Sequence, residues 1–313
     1  MTDTQTPLTA TSPAGGHPAD NGAPDATLAT GTAATSTETT VPEAAPTADS
    51  GGEAAPEGAP APRTRRYRPP RFLGLDMAWA PRNSSGGAVM ELTEDGDIKL
   101  TSTTSMRAHE DILGWVARNR GRSGCVLATN APMIVENSGG RRPCDLLLEK
   151  HFEAVDPYQV NTVNASQPRM MGRALHRMGF DLHPGAEGDR LVETYNQPTQ
   201  ILLFEVDRPI RLKIGPVGAR KEAVDRFREL LYEKLADASP RLLDSPALDA
   251  LIDADLPSSN GSRIGELEER LEAVLCAYTA AYLYLRGPAA CAMLGDLNEG
   301  YVLIPMTRLP EAE

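Results

Sequence analysis

Phe72-Leu-Gly-Leu-Asp-Met-Ala-Trp79 sets a carboxylate, Asp76, in the middle of an apolar run, and it opens the first stretch of the chain able to fold. A run this apolar reads as a strand buried in a sheet. A buried carboxylate without a partner is costly. Asp76 therefore calls for a metal ion, a cation or backbone donors beside it, and the rest of the chain is read for that partner.

Upstream of this strand the composition changes. Residues 1–62 hold eight acids (Asp3, Asp20, Asp25, Glu38, Glu43, Asp49, Glu53 and Glu57) and neither Lys nor Arg. Ala, Thr, Pro, Gly and Ser make up most of the remainder, with Leu8, Leu28 and Val41 nearly the only large aliphatics. Such a segment buries too little apolar surface to offset chain entropy, so residues 1–66 are expected to be a disordered tail or tether. No basic start followed by an apolar run marks a secretory signal. Arg63, Arg65, Arg66, Arg68 and Arg71 form a basic junction, which suits a solvated flank better than a binding patch.

The net charge of −12 becomes about −4 once the tail's eight acids are set aside. Residues 67–310 are long enough for one domain with a sizeable core. The four cysteines, Cys125, Cys144, Cys276 and Cys291, form no Cys-x-x-Cys pair, which argues against zinc. A reducing cytoplasm is the expected setting. No apolar stretch approaches the roughly 20 residues that span a bilayer.

Downstream, Gly86–Leu92 and Ile98–Thr104 read as strands around the hairpin signal Glu94-Asp-Gly-Asp97. Together with 71–79 they predict a three-stranded antiparallel meander. Ala108–Arg120 places Ile112, Trp115 and Val116 at helical spacing, and Gly124–Thr129 is a short apolar run suited to a central strand. Asn137–Pro143 reads as a flexible basic loop. Helices are predicted over 145–155, 168–178, 219–236 and 263–285, with a strand at 191–195 that Asn196 and Pro198 stop, and a closing pair at 291–294 and 301–305. Three hairpin-linked strands, a helix, a central strand and then alternating helices and strands predict an α/β domain. This is the order of a ribonuclease-H-like mixed sheet, three antiparallel strands followed by parallel ones, flanked by helices. Actin-like kinases open in the same way, but they need a second copy of the motif and Gly-rich phosphate loops. Asp76-Met-Ala-Trp-Ala-Pro81 is not Gly-rich, and no second copy is found.

Ribonuclease-H-like nucleases gather carboxylates from strand one, a central strand and a late helix around divalent metal. Hard Mg²⁺ or Mn²⁺ prefers oxygen ligands, and two ions about 4 Å apart activate water and stabilise the leaving oxygen. The candidates are Asp76, Glu193 within Leu191-Val-Glu-Thr-Tyr195, and Glu272. Glu272 lies about 120° round its helix from the stripe of Ile264, Leu267, Leu271, Val274, Tyr278 and Ala281, beside the small residues Cys276 and Ala280. Arg141, Arg142 and Lys213 are basic side chains near these positions, and Arg141 and Arg142, in the Gly-rich loop, are candidates to meet phosphate oxygens. Arg169, Arg173 and Arg177 recur on one helix face, which suits a solvated surface.

Phe72–Trp79, Ala128-Thr-Asn-Ala-Pro132, Asn137–Asp145, Val192-Glu-Thr-Tyr195, Leu271–Ala280, and Leu294-Gly-Asp296 with Val302-Leu-Ile-Pro305 recur in this order in one family. Over roughly residues 71–306 the chain is similar to the prokaryotic predicted-nuclease family called domain of unknown function 429. The resemblance implies a ribonuclease-H-like fold and a nuclease that binds Mg²⁺ or Mn²⁺ and acts on nucleic acid. Asp76 and Glu193 match the family's acids. Asn130 stands where the family usually has Asp, Glu272 where it usually has Asp, and Asn196 where it usually has Pro. Asn130 offers a neutral oxygen without the charge that holds a dication, and Glu272 carries its charge one methylene further out. These departures keep a catalytically silent ribonuclease-H-like binding module as the alternative to a metal-dependent nuclease.

Overall fold

The computed structural model describes residues 69–305, apart from 81–82, 122–123, 156–159 and 257–260. The acidic tail, most of the basic junction and the last residues of the chain lie outside the described residues.

β1 (Arg71–Asp76), β2 (Ser85–Leu92) and β3 (Ile98–Met106) form the expected meander. β1 pairs antiparallel with β2, and β2 with β3. Gly96, at φ 87°, turns the β2–β3 connection, a conformation that costs a Cβ-free residue nothing. β3 buries Ile98 and Leu100 and exposes Lys99 and Thr101, the period-2 pattern of a strand with one wet face. α1 (His109–Asn119) buries Ile112, Trp115 and Val116 and carries the chain to β4 (Cys125–Thr129), which returns parallel to β1. After α2 (Pro143–His151) and α3 (Ser166–Arg177), β5 (Arg190–Glu193) adds parallel to β4.

Three elements depart from the sequence-based expectation. α4 (Asn196–Phe204) begins where Asn196 and Pro198 were expected only to end a strand. Pro198 falls in the first turn, where its missing N–H removes no intrahelical bond. After α5 (Val217–Asp237), β6 (Leu242–Leu243) pairs parallel with β3 and extends the sheet to six strands in the order β5-β4-β1-β2-β3-β6. α6 (Pro246–Ile252) follows, with Ser245 accepting a hydrogen bond from the Leu248 N–H as its cap. The mixed sheet, in which β1 pairs antiparallel with β2 on one side and parallel with β4 on the other, is the ribonuclease-H-like arrangement. Among the described residues no helix is long and apolar enough to cross a membrane.

α7 (Gly261–Arg286) crosses one face of the sheet over β1, β2 and β4. The sequence stripe accounts for only part of its burial: Ala273, Leu275, Cys276, Ala277, Ala280 and Leu283 are also buried, with Ala273 and Ala277 against Gly74 of β1 and Cys276 against Asn196 at the start of α4. Glycines let the helix sit directly on strand backbone. A Cβ at Gly74 would lie 1.9 Å from the Ala273 carbonyl oxygen, and one at Gly86 would lie 2.0 Å from that of Glu269. Phe72, Val126, Ala128 and Val192 face α7, whereas Leu73, Leu75, Leu127 and Leu191 pack on the opposite face with Ile112, Trp115 and Leu175. The hairpin of β7 (Ala292–Asp296) and β8 (Gly300–Ile304) packs with α2 and joins β5 through a Thr194–Leu303 bridge.

Candidate functional site

Strand parity decides which acids meet. Asp76 and Asn130 follow the residues of β1 and β4 that face α7. The Asn130 N–H bonds to the Leu75 carbonyl at 2.9 Å, which keeps the two side chains in register at the strand ends. Asn130 Nδ2 donates to Asp76 Oδ1 at 3.1 Å. Asn130 Oδ1 accepts from the Asn196 N–H at 3.3 Å, at the start of α4. Asn196 Nδ2 donates to the Glu272 carbonyl at 3.2 Å, and Cys276 Sγ donates to Asn196 Oδ1 at 3.4 Å. The two asparagines thus tie the ends of β1 and β4 to the middle of α7 and fix the Asp76 carboxylate.

Lys213 closes the cluster. Its Nζ lies 2.6 Å from Asp76 Oδ2 and 2.5 Å from Glu272 Oε2. Burial works against the ammonium, but the two carboxylates outweigh it and raise its pKa well above the ordinary lysine value. Burial, then the neighbouring Asp76 charge, pushes the Glu272 carboxyl up to about 8, with Lys213 opposing. One turn earlier on α7, burial pushes Glu269 up to about 7 while the Ser84 hydroxyl and the Lys213 charge oppose it. Glu269 Oε2 is buried with no hydrogen-bond partner. Lys213 comes from the connection between α4 and α5 and has left-handed backbone at φ 67°. Its N–H donates to Glu268 Oε1 at 3.0 Å, and Arg220 Nε grips the same oxygen at 2.9 Å. Those bonds hold a backbone conformation that costs a residue with a Cβ on the order of 1 kcal/mol or more.

The structure therefore brings together Asp76, Asn130 and Glu272, and it does not bring Glu193 to them. Glu193 pairs in register with Thr129, so its side chain points to the face opposite Asp76. There Arg142 Nη2 meets its Oε1 at 2.6 Å and Arg142 Nη1 its Oε2 at 2.9 Å. The Met133 N–H adds a third bond at 3.0 Å. Burial pushes Glu193 up and Arg142 pulls it back. Arg142 itself is 2 % exposed, and it also binds Asp145 and the Ile134 carbonyl. It is a buried tie rather than the loop residue expected to meet phosphate. Arg141 is engaged by Glu149 on α2. Asn130 and Glu193 share the wall of a small cavity with Trp79, Tyr195 and Val302.

The sequence marks Lys213 only as a nearby base and Asn196 only as a strand stop, and Glu268 and Glu269 are not among its candidates. Glu268 and Glu269 did carry a signal: two acids in a helix apolar enough to be buried must find partners or shift their pKa. An open cleft of about 840 Å³, lined by Lys150, Arg208, Arg211, Glu153 and Asp207 among others, includes none of the clustered side chains.

The donor set suits a hard cation. The side chains of Asp76 and Glu272, and the unpartnered Glu269 oxygen, offer carboxylate oxygen of the kind Mg²⁺ and Mn²⁺ prefer. Among the described residues no three His, Cys, Asp or Glu side chains close on a common point. The positive charge between Asp76 and Glu272 is the Lys213 ammonium.

No family model matches the chain, and no curated protein matches it. Among solved structures it is similar to the yeast mitochondrial Holliday junction resolvase Ydc2, with a TM-score of 0.34 and 9 % identity over 71 % of this chain and 81 % of that one.

Proposed function

We propose that this protein is a metal-dependent nuclease that hydrolyses phosphodiester bonds of nucleic acid at the Asp76–Glu272 cluster. The observation that carries the reading is the convergence of Asp76, Asn130 and Glu272 where β1 and β4 end against α7. The resemblance to the predicted-nuclease family called domain of unknown function 429 supports it. Asp76 and Glu272 would hold the divalent ion, with Glu269 as the nearest further carboxylate. A bound Mg²⁺ or Mn²⁺ supplies Lewis acidity toward the phosphoryl oxygen and lowers the pKa of a bound water. Asn130 is a positioning residue: its amide donates to one Asp76 oxygen and leaves the other to face the cation. Glu193 and Arg142 brace the strand end beside the site.

The test is cleavage of single- and double-stranded DNA and RNA by the full chain with Mn²⁺, beside Asp76→Ala. Removing a ligand that contributes several kcal/mol of charge stabilisation is expected to lower the rate by about a thousandfold. Cleavage that survives in Asp76→Ala, or no cleavage of any substrate by the folded wild type, refutes the reading. The silent binding module is favoured by one observation, the ammonium already seated between the two carboxylates. On that reading the wild type binds nucleic acid without cutting it.

A further inference from the structure

Lys213 stands where a cation would stand, and three features show that it is built to leave. The ammonium bridges Asp76 and Glu272 at 2.6 and 2.5 Å, so both carboxylates spend an oxygen on it. It comes from a connecting segment, whereas Asp76 and Glu272 sit on a central strand and the central helix. Its side chain is 41 % exposed, against 6 % and 14 % for the two carboxylates, so the stem lies along the open side of the cluster. The backbone anchor is separate from the ammonium. The Glu268 carboxylate, itself held by Arg220, fixes the Lys213 N–H and leaves the four-carbon stem free to swing.

We propose that Lys213 holds down the affinity of the site for divalent metal by competing with it for Asp76 and Glu272. The inference rests on the reading of those carboxylates as a metal site. A monovalent ammonium and a hard dication cannot share the same two oxygens. Each ion that loads must displace Nζ, which turns outward through the open side. Each ion's apparent dissociation constant is raised by the same factor, set by how much of the cluster stands open, so Mg²⁺ and Mn²⁺ load at higher concentrations than the carboxylates alone would require. Once displaced, the ammonium lies in solvent beside the cluster.

Titration of Mn²⁺ into the full chain, followed by the electron paramagnetic resonance signal of free Mn²⁺, reads the competition directly. Lys213→Met keeps the length of the stem and removes the charge, and it is expected to bind Mn²⁺ at least tenfold more tightly than wild type. Lys213→Arg keeps the charge and is expected to bind no more tightly than wild type. A second measurement needs no variant. The chain has five lysines, so acetylation of each by an amine-reactive ester can be followed by mass spectrometry. Saturating Mn²⁺ is expected to raise the Lys213 acetylation rate at least tenfold and to leave the other four unchanged. Wild type that binds Mn²⁺ in an Asp76-dependent way, with Lys213→Met no tighter and Lys213 no more reactive, overturns the competition and leaves the metal site standing. Failure of the wild type and Lys213→Met alike to bind Mn²⁺ overturns both. If Lys213→Met does not fold, the acetylation ratio decides alone.

Discussion

Gly74→Ala tests whether the seat of α7 on β1 sets both the stability of the domain and the geometry of the carboxylate cluster. The added Cβ would stand 1.9 Å from the Ala273 carbonyl oxygen and 2.3 Å from the Ala277 nitrogen. An ordinary contact begins near 3.4 Å, so strand and helix must part locally by about 1.5 Å. Both clashing atoms are backbone of a buried helix, so no side-chain rotation relieves them. Overpacking of a core costs about 1–3 kcal/mol, and backbone-on-backbone contact places this case at about 3 kcal/mol.

Urea unfolding followed by tryptophan fluorescence reads the loss as a lower midpoint at unchanged slope. Gly114→Ala in α1 is the control. There the one atom near the new Cβ is the tip of the Arg118 side chain at 3.2 Å, so the same substitution is expected to stabilise by about 0.5–1 kcal/mol. Asp76 lies two residues beyond Gly74 on the same face, and Glu272 precedes Ala273. The displacement that costs stability therefore also separates the two carboxylates, and Mn²⁺ affinity is expected to fall with it. A Gly74→Ala protein within about 0.5 kcal/mol of wild type would refute the close-seat argument, since that is the ordinary scatter of neutral substitutions.

Arg142→Met removes the counter-charge of Glu193 and Asp145 while both stay buried, and it is expected to cost about 3–5 kcal/mol in urea unfolding. The double variant Arg142→Met with Glu193→Gln is expected to lose less than the single one, and equal or greater loss would show that the pair is not coupled. Glu269 gives a pH dependence. Its carboxyl rises from an ordinary 4.5 to about 7 on folding, so the folded state holds the proton more tightly than the unfolded chain. The resulting penalty is absent below about pH 4.5, grows as pH rises and is complete above about pH 7. At about 1.4 kcal/mol per pKa unit, Glu269→Gln is expected to gain up to about 3 kcal/mol on wild type between pH 4.5 and 8. A difference that does not change across that range would show that Glu269 is not desolvated.

The sequence carried the meander and α1 plainly, because the apolar runs at 71–79 and 86–92, the Asp-Gly turn signal before 98–104 and the 3–4 spacing of Ile112, Trp115 and Val116 are local signals. It carried the convergence of Asp76 and Glu272 less directly, through an acid in an apolar strand and an acid beside small residues on a long helix. The position of Glu193 was not legible. Leu191 and Glu193 share one face of β5 and Val192 and Thr194 the other, but which face meets α7 depends on register against β4, a non-local quantity. A shift of one residue would have turned Glu193 toward Asp76. α4 was hidden by reading Pro198 as a stop instead of a first-turn residue. β6 is two residues long and exists only because β3 offers it an edge. α6 was legible and overlooked, since Ser245-Pro246 is a capping signal.

Asn130 and Lys213 belong together. Asn130 can donate to Asp76 Oδ1 at 3.1 Å because it carries amide protons. An ionised Asp there would face the same oxygen with no proton to give. Two unit charges at that distance repel by about 5 kcal/mol at an effective dielectric of about 20. One ammonium shared between Asp76 and Glu272 brings a single positive charge against three negative ones there, whereas a divalent ion brings two. With Asn at this position the cluster carries two carboxylates instead of three at its centre, and a single lysine suffices to hold it closed. The neutral residue at 130 thus lowers the charge that would attract a dication, and in the same step it makes the lysine-closed state stable. If Asp76 and Glu272 hold a divalent ion, a neutral residue at 130 is then what makes the site one that must be opened.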